Sequence, residues 1–111
     1  MTFRRWDVVA IPFPFVEGTE AKRRPGLIVS TDLLRERHGV YWITMITTAK
    51  SGRRDGDIAI DDGVVPGLPD ACVIRPSVLA TLSDAQINRR LGSLPAGLRT
   101  AVHASLKRYI A

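Results

Sequence analysis

Short apolar runs rich in β-branched residues, each stopped by proline, glycine or a charged cluster, recur along this chain and restrict it to small antiparallel β architectures. Asp7-Val8-Val9-Ala10-Ile11 is the first, closed by Pro12-Phe13-Pro14, and Gly26-Leu27-Ile28-Val29-Ser30 is the second. Val40 to Thr47 is the most strand-like stretch, with Trp42 expected in the core. A short strand is predicted over Asp57 to Ile60. Asp70 to Leu82 alternates around Arg75-Pro76-Ser77, which predicts two strands meeting at a bend, because proline cannot donate to a central ladder. Helical signals are fewer. Ser30 or Thr31 caps a short helix through Arg37 that stops at His38-Gly39, and Ser83-Asp84 caps another reaching Arg90. Leu98, Val102, Leu106 and Tyr109 recur at helical spacing, with Ala101 and Ser105 beside them and Arg99, His103 and Lys107 opposite. Lys107 and Arg108 suit the negative end of that helix. The pattern predicts a mainly β fold with α additions, a small barrel of short strands followed by a C-terminal helix.

At 111 residues and 45% hydrophobic, the chain is expected to form one domain over residues 1–111. Cys72 is the single cysteine, and no Cys or His stands near it at ligand spacing, so neither a disulfide nor sulfur-based metal chemistry is expected. No cofactor is expected. The first apolar stretch is interrupted by Pro12 and Pro14, too short for a signal peptide or a membrane span. A cytoplasmic protein without membrane contact is the expectation. Sixteen Lys and Arg against eleven Asp and Glu leave a net charge of +5, a balance that favours a polyanionic partner. The basic residues cluster at Arg4/Arg5, Lys22/Arg23/Arg24, Lys50/Arg53/Arg54 and Arg89/Arg90, whereas Asp55, Asp57, Asp61, Asp62 and Asp70 share a segment free of Lys and Arg. A basic side and an acidic loop follow.

Three constellations bear on chemistry. Lys22-Arg23-Arg24-Pro25 ends a long loop from Phe13 and precedes an aliphatic strand, where a guanidinium fork can grip a phosphate in bidentate fashion. Thr47-Thr48 closes the third strand and offers hydroxyl donors, followed by a basic loop with Lys50 and Arg53. Arg75, inside an otherwise apolar segment, either pairs with an acidic loop residue or points into a site. Gly-x-Ser-x-Gly, the phosphate-binding Gly-x-x-x-x-Gly-Lys and His-Glu-x-x-His are all missing. His38 and His103 read as capping or solvated groups.

The segments Asp7-Val-Val-Ala-Ile-Pro-Phe-Pro-Phe15, Lys22-Arg-Arg-Pro-Gly-Leu-Ile-Val-Ser30, Ile43-Thr-Met-Ile-Thr47, Arg75-Pro-Ser-Val-Leu-Ala-Thr-Leu82 and Arg90-Leu-Gly-Ser-Leu94 resemble, in order, the MazF/PemK toxins of toxin–antitoxin systems. The resemblance implies an SH3-like barrel of five to seven strands that dimerises, binds a cognate antitoxin, and cuts single-stranded RNA without a metal. The 2′-hydroxyl of the RNA is the nucleophile, and a 2′,3′-cyclic phosphate and a 5′-hydroxyl are left. By motif, Arg24 matches the arginine that neutralises phosphate charge, and Thr47 the strand-end threonine that hydrogen-bonds the scissile phosphate. Lys22, Arg23, Thr48, Lys50, Arg53, Arg75 and Ser77 are the expected substrate contacts. Two departures stand out. Many relatives have glycine where Trp6 precedes Asp7, and several have a carboxylate near Ser77, which leaves Glu20 as the substitute general base. Competing expectations are a gyrase-poisoning toxin similar to CcdB and a nucleic-acid-binding barrel that has lost its chemistry.

Overall fold

The computed structural model describes residues 2–13 and 22–110. Six strands, β1 (Asp7–Phe13), β2 (Lys22–Ile28), β3 (Val40–Thr48), β4 (Ile58–Ile60), β5 (Cys72–Ser83) and β6 (Arg89–Ser93), form one sheet in the order β4-β5-β3-β2-β1-β6. Every neighbouring pair is antiparallel. The sheet curls into a half-barrel whose end strands, β4 and β6, are not paired with each other among the described residues. Helix α1 (Asp32–His38) links β2 to β3, and α2 (Ala96–Ile110) follows β6.

Curling gives the sheet two covered faces, which is why β1 reads as a continuous apolar run rather than an alternation. Val8 packs with Leu27, Ile46, Ile74 and the α2 residues Val102 and Leu106, while Val9, one position on, packs with Ile11, Ile28, Tyr41 and Ile43. Gly26 lies where β1, β2 and β3 are tightest. A Cβ there would stand 2.6 Å from Ile11 Cδ1 and 2.7 Å from Ile43 Cγ2, so only glycine fits between these two side chains.

α1 ends as expected on Gly39, in the left-handed region at φ 69°, whose N–H donates to the Arg35 carbonyl at 2.8 Å. Thr31 occupies the N-cap position without a side-chain capping bond, and Ser30 Oγ instead accepts the Trp42 N–H at 3.0 Å. In α2, Val102 and Leu106 are buried but Tyr109 is half exposed, so its inward stripe is narrower than its apolar spacing.

Four expectations need correction. Arg75-Pro76-Ser77 does not divide two strands, because β5 runs through it and absorbs the proline in a register shift opposite Thr44/Met45. There Thr44 Oγ1 donates to the Arg75 carbonyl at 2.6 Å, pinning the irregular segment. Ser83-Asp84 opens only a single 3₁₀ turn, Asp84–Gln86, and Arg89-Arg90 then belong to β6, where Arg90 Nε donates to Asp7 Oδ1 at 3.0 Å. Cross-strand pairing with β1 outweighs the helical signal. Lys22-Arg23-Arg24 lies in β2 rather than in the preceding loop. Finally, Trp42 is 42% exposed: it shares a face of β3 with the buried Ile46, but stands nearer the start of the strand, where it lines an open hollow with Leu33 and Leu34 of α1.

Trp6 has φ 74°, a left-handed conformation for a non-glycine residue. Its N–H donates to the Ile28 carbonyl at 2.8 Å and its carbonyl accepts the Leu94 N–H at 2.9 Å, so pairing on both sides holds the turn. The Arg5 guanidinium stacks over its ring, 4.5 Å from the centroid.

Candidate active site

β2 and β3 pair as Gly26↔Met45, Leu27↔Thr44 and Ile28↔Ile43. Carried two residues past its last pair, this register sets Arg24 opposite Thr47. Side chains two residues apart on a strand share a face, so Arg24 lies on the side of Gly26 and Ile28, and Thr47 on the side of Met45 and Ile43. These are one and the same face. The register thus puts the two residues carried over by motif on one face of the sheet, just past the end where β2 and β3 stop pairing.

Their environments differ. Arg24 is exposed and enters none of the ion pairs found among the described residues. Thr47 is 8% exposed, and its hydroxyl lies 3.0 Å from Ser51 Oγ. Ser51, absent from the expected set, ends a 3₁₀ turn (Ala49–Ser51) that follows β3 directly. No sequence motif singles it out; only the chain reversal after Thr48 brings it back onto Thr47.

Arg75 resolves the alternative left open for it. Paired with Met45 across β3 and β5, it lies on the face of Thr47, yet its side chain is 3% exposed and held by Asp57. Nε donates to both carboxylate oxygens, at 3.3 and 3.2 Å, and Nη2 donates to Oδ2 and to the Gly52 carbonyl, each at 2.9 Å. Burial pushes the Asp57 carboxyl upward. The Arg75 hydrogen bonds, the Arg54 N–H at 2.8 Å and the Arg75 charge outweigh it, and Asp57 stays below its ordinary value of 3.8. Arg75 is therefore a buried ion-pair partner rather than an open substrate contact, because a guanidinium in an apolar strand must be neutralised where it lies.

The remaining expected contacts scatter. Arg23 and, by the same register, Thr48 are exposed on the opposite face from Arg24 and Thr47. Thr48 and Lys50 line a hollow of about 370 Å³ together with Asp62 and Asp70, an acidic neighbourhood. Arg53 is exposed, and its Nη2 donates to the Asp57 carbonyl at 3.2 Å. Ser77 is exposed in the irregular segment of β5. Lys22 opens β2, opposite Phe13, and Glu20 lies outside the described residues. A larger hollow of about 590 Å³, lined by Leu33, Trp42, Leu79 and Ile110 between α1 and α2, contains none of the expected site residues.

A family model described as the PemK-like, MazF-like toxin of type II toxin–antitoxin systems matches residues 4–110. This chain belongs to that family. The curled sheet with its C-terminal helix is correspondingly the MazF-like fold. A MazF crystal structure from Deinococcus radiodurans is similar at a TM-score of 0.77 and 17% identity, covering 99% of this chain and 97% of that one. An endoribonuclease in complex with its cognate antitoxin, from a mycobacterial species, is similar at 0.73 and 19% identity, covering 96% and 93%. The Mycobacterium tuberculosis toxin MazF-mt6 gives 0.71 and 20%, covering 92% and 93%. No curated protein sequence matches significantly. No helix among the described residues is long and apolar enough to cross a membrane.

Proposed function

We propose that this MazF/PemK-family toxin is an endoribonuclease that cleaves single-stranded RNA through the RNA's own 2′-hydroxyl, without a metal. The observation that carries this is the shared face of Arg24 and Thr47, an exposed guanidinium and a sheltered hydroxyl just past the end of the β2–β3 pairing. In the reaction, the 2′-oxygen loses its proton and bonds to phosphorus, the bond from phosphorus to O5′ breaks, and O5′ takes up a proton. Products are a 2′,3′-cyclic phosphate and a 5′-hydroxyl. Negative charge grows on the non-bridging oxygens, and Arg24 meets it with a bidentate fork while Thr47 donates one hydrogen bond. Both residues belong to strands of one sheet, β2 and β3, which supports this reading by limiting how far their backbones must move on binding. Glu20 is the proposed general base, since the hydroxyl of Ser77 is far too weak a base at neutral pH.

The proposed partners are single-stranded RNA, a cognate antitoxin and a second copy of the chain. The mycobacterial neighbour is itself bound to its antitoxin, which supports the second of these. A net charge of +5 suits both RNA and an acidic antitoxin segment.

The test is cleavage of a defined RNA in EDTA with mapping of the new 5′ ends. Wild type is expected to leave 5′-hydroxyl termini, and Arg24→Ala to cut about 100- to 1,000-fold more slowly with an unchanged melt. Undiminished cutting by Arg24→Ala would reject the assignment. Salt-sensitive RNA retention without product would make the chain a binder only.

A further inference from the structure

A threonine hydroxyl carries one proton, and it can give that proton to a ligand only if its own oxygen is turned correctly and its lone pairs are satisfied elsewhere. Ser51 Oγ, 3.0 Å from Thr47 Oγ1, is the neighbouring group that can do this, by donating to Thr47 and leaving the Thr47 proton directed outward. Thr48 Oγ1 stands a further 3.5 Å from Ser51 Oγ. An exposed serine on a short turn would ordinarily hold no fixed direction. Here the next residue is tied down: Gly52, at φ 82°, donates its N–H to the Ala49 carbonyl at 3.3 Å, and its own carbonyl accepts Arg75 Nη2 at 2.9 Å. Arg75 is in turn locked to Asp57, whose carboxylate also accepts the Arg54 N–H. A buried ion pair is a costly way to gain stability, since apolar side chains of similar volume commonly do as well, but its directional bonds are well suited to holding a loop in one register.

We propose that Ser51 is a positioning residue that aims the Thr47 hydroxyl, and that the buried Asp57–Arg75 pair clamps the turn carrying it. This rests on the ribonuclease reading only in taking Thr47 as the donor to the phosphate. Arg75 then acts on the reaction through Gly52 and Ser51 rather than by touching RNA.

The test pairs kinetics with a measurement on the free protein. Ser51 is exposed, so Ser51→Ala is expected to fold with an unchanged melt. Its single-turnover cleavage rate should fall about 10- to 100-fold, while its affinity for an RNA carrying 2′-deoxyribose at the cleavage position stays within about twofold. Ser51→Thr, which keeps a hydroxyl, should recover most of the rate. In the free protein, three-bond couplings to the Thr47 methyl carbon should report a single χ1 rotamer in wild type and averaging in Ser51→Ala; Arg75→Lys, where folded, should average in the same direction. Unchanged couplings in Ser51→Ala overturn the proposal, as does an unchanged rate in an enzyme that cuts RNA. If wild type cuts no RNA, averaged couplings in Ser51→Ala still support the positioning role, and it is the ribonuclease reading that fails.

Discussion

Arg24 and Arg75 lie on the same face of the sheet, one on each side of β3, yet they occupy opposite electrostatic situations. Arg75 is 2% exposed and neutralised by Asp57, whereas Arg24 is exposed and outside every ion pair among the described residues. Identical side chains thus divide the work. The buried one is bound into the fold and cannot be withdrawn cheaply; the exposed one keeps its charge at the surface and costs the fold little.

Removing one member of the buried pair should produce the largest effect. Arg75→Ala strands the Asp57 carboxylate and is expected to cost about 3–5 kcal/mol in denaturant unfolding, while Arg24→Ala stays within about 0.5 kcal/mol. Replacing both partners, as Arg75→Met with Asp57→Leu, should restore most of that stability. If the single and double replacements are equally unstable, the pair is not what makes Arg75 structural.

Next in size is the catalytic side of the comparison. Thr47→Val keeps the shape of the side chain and removes its donor, so cleavage should slow by about 100-fold or more at nearly constant RNA affinity. A loss confined to affinity would reduce Thr47 to a binding contact.

Packing beneath the site comes third. Gly26→Ala pushes a methyl group against Ile11 and Ile43, the two side chains beside the strand that carries Arg24. Overpacking of this kind costs about 1–3 kcal/mol, readable as a lower melting temperature. A neutral result would mean that the three strands can separate without loss.

The pH dependence of stability separates the two arginines again. Because the Asp57 carboxyl is held below its ordinary value when folded, its contribution is present above the unfolded value near 3.8 and is lost as pH falls through the lower folded value. Acid unfolding of wild type should therefore steepen below pH 3.8 relative to Asp57→Asn, with Arg24→Ala following wild type. The smallest effect concerns salt: each phosphate contact to a single strand contributes about 0.7 to the slope of log affinity against log salt, so Arg24→Ala should flatten the slope by about that much and Ser51→Ala should not.

Much of the fold was legible because burial writes itself into composition. Val8-Val9-Ala10-Ile11 is apolar on consecutive positions, as is Met45-Ile46, since both faces of the curled sheet are covered there, and Gly39 marks the end of α1 because the left-handed region favours glycine. Trp6 shows the limit of that reasoning. It stands at φ 74°, a conformation that pairing with Ile28 and Leu94 imposes on a residue that does not favour it. Arg89-Arg90 looked like the end of a capped helix because local capping competes on equal terms with strand pairing until a partner strand is present.

Sequence alone determined the order of apolar strands and the amphipathic last helix, which are properties of residue type and local spacing, while Arg24 and Thr47 were singled out by resemblance to the family. Tertiary structure alone decided that Arg75 is consumed by Asp57, that Thr48 and Lys50 sit beside Asp62 and Asp70, and that Ser51 folds back onto Thr47. Whether a charge is neutralised, or a hydroxyl aimed, depends on which groups chain reversal and strand register bring within a few ångströms, and those distances are not encoded at any single position.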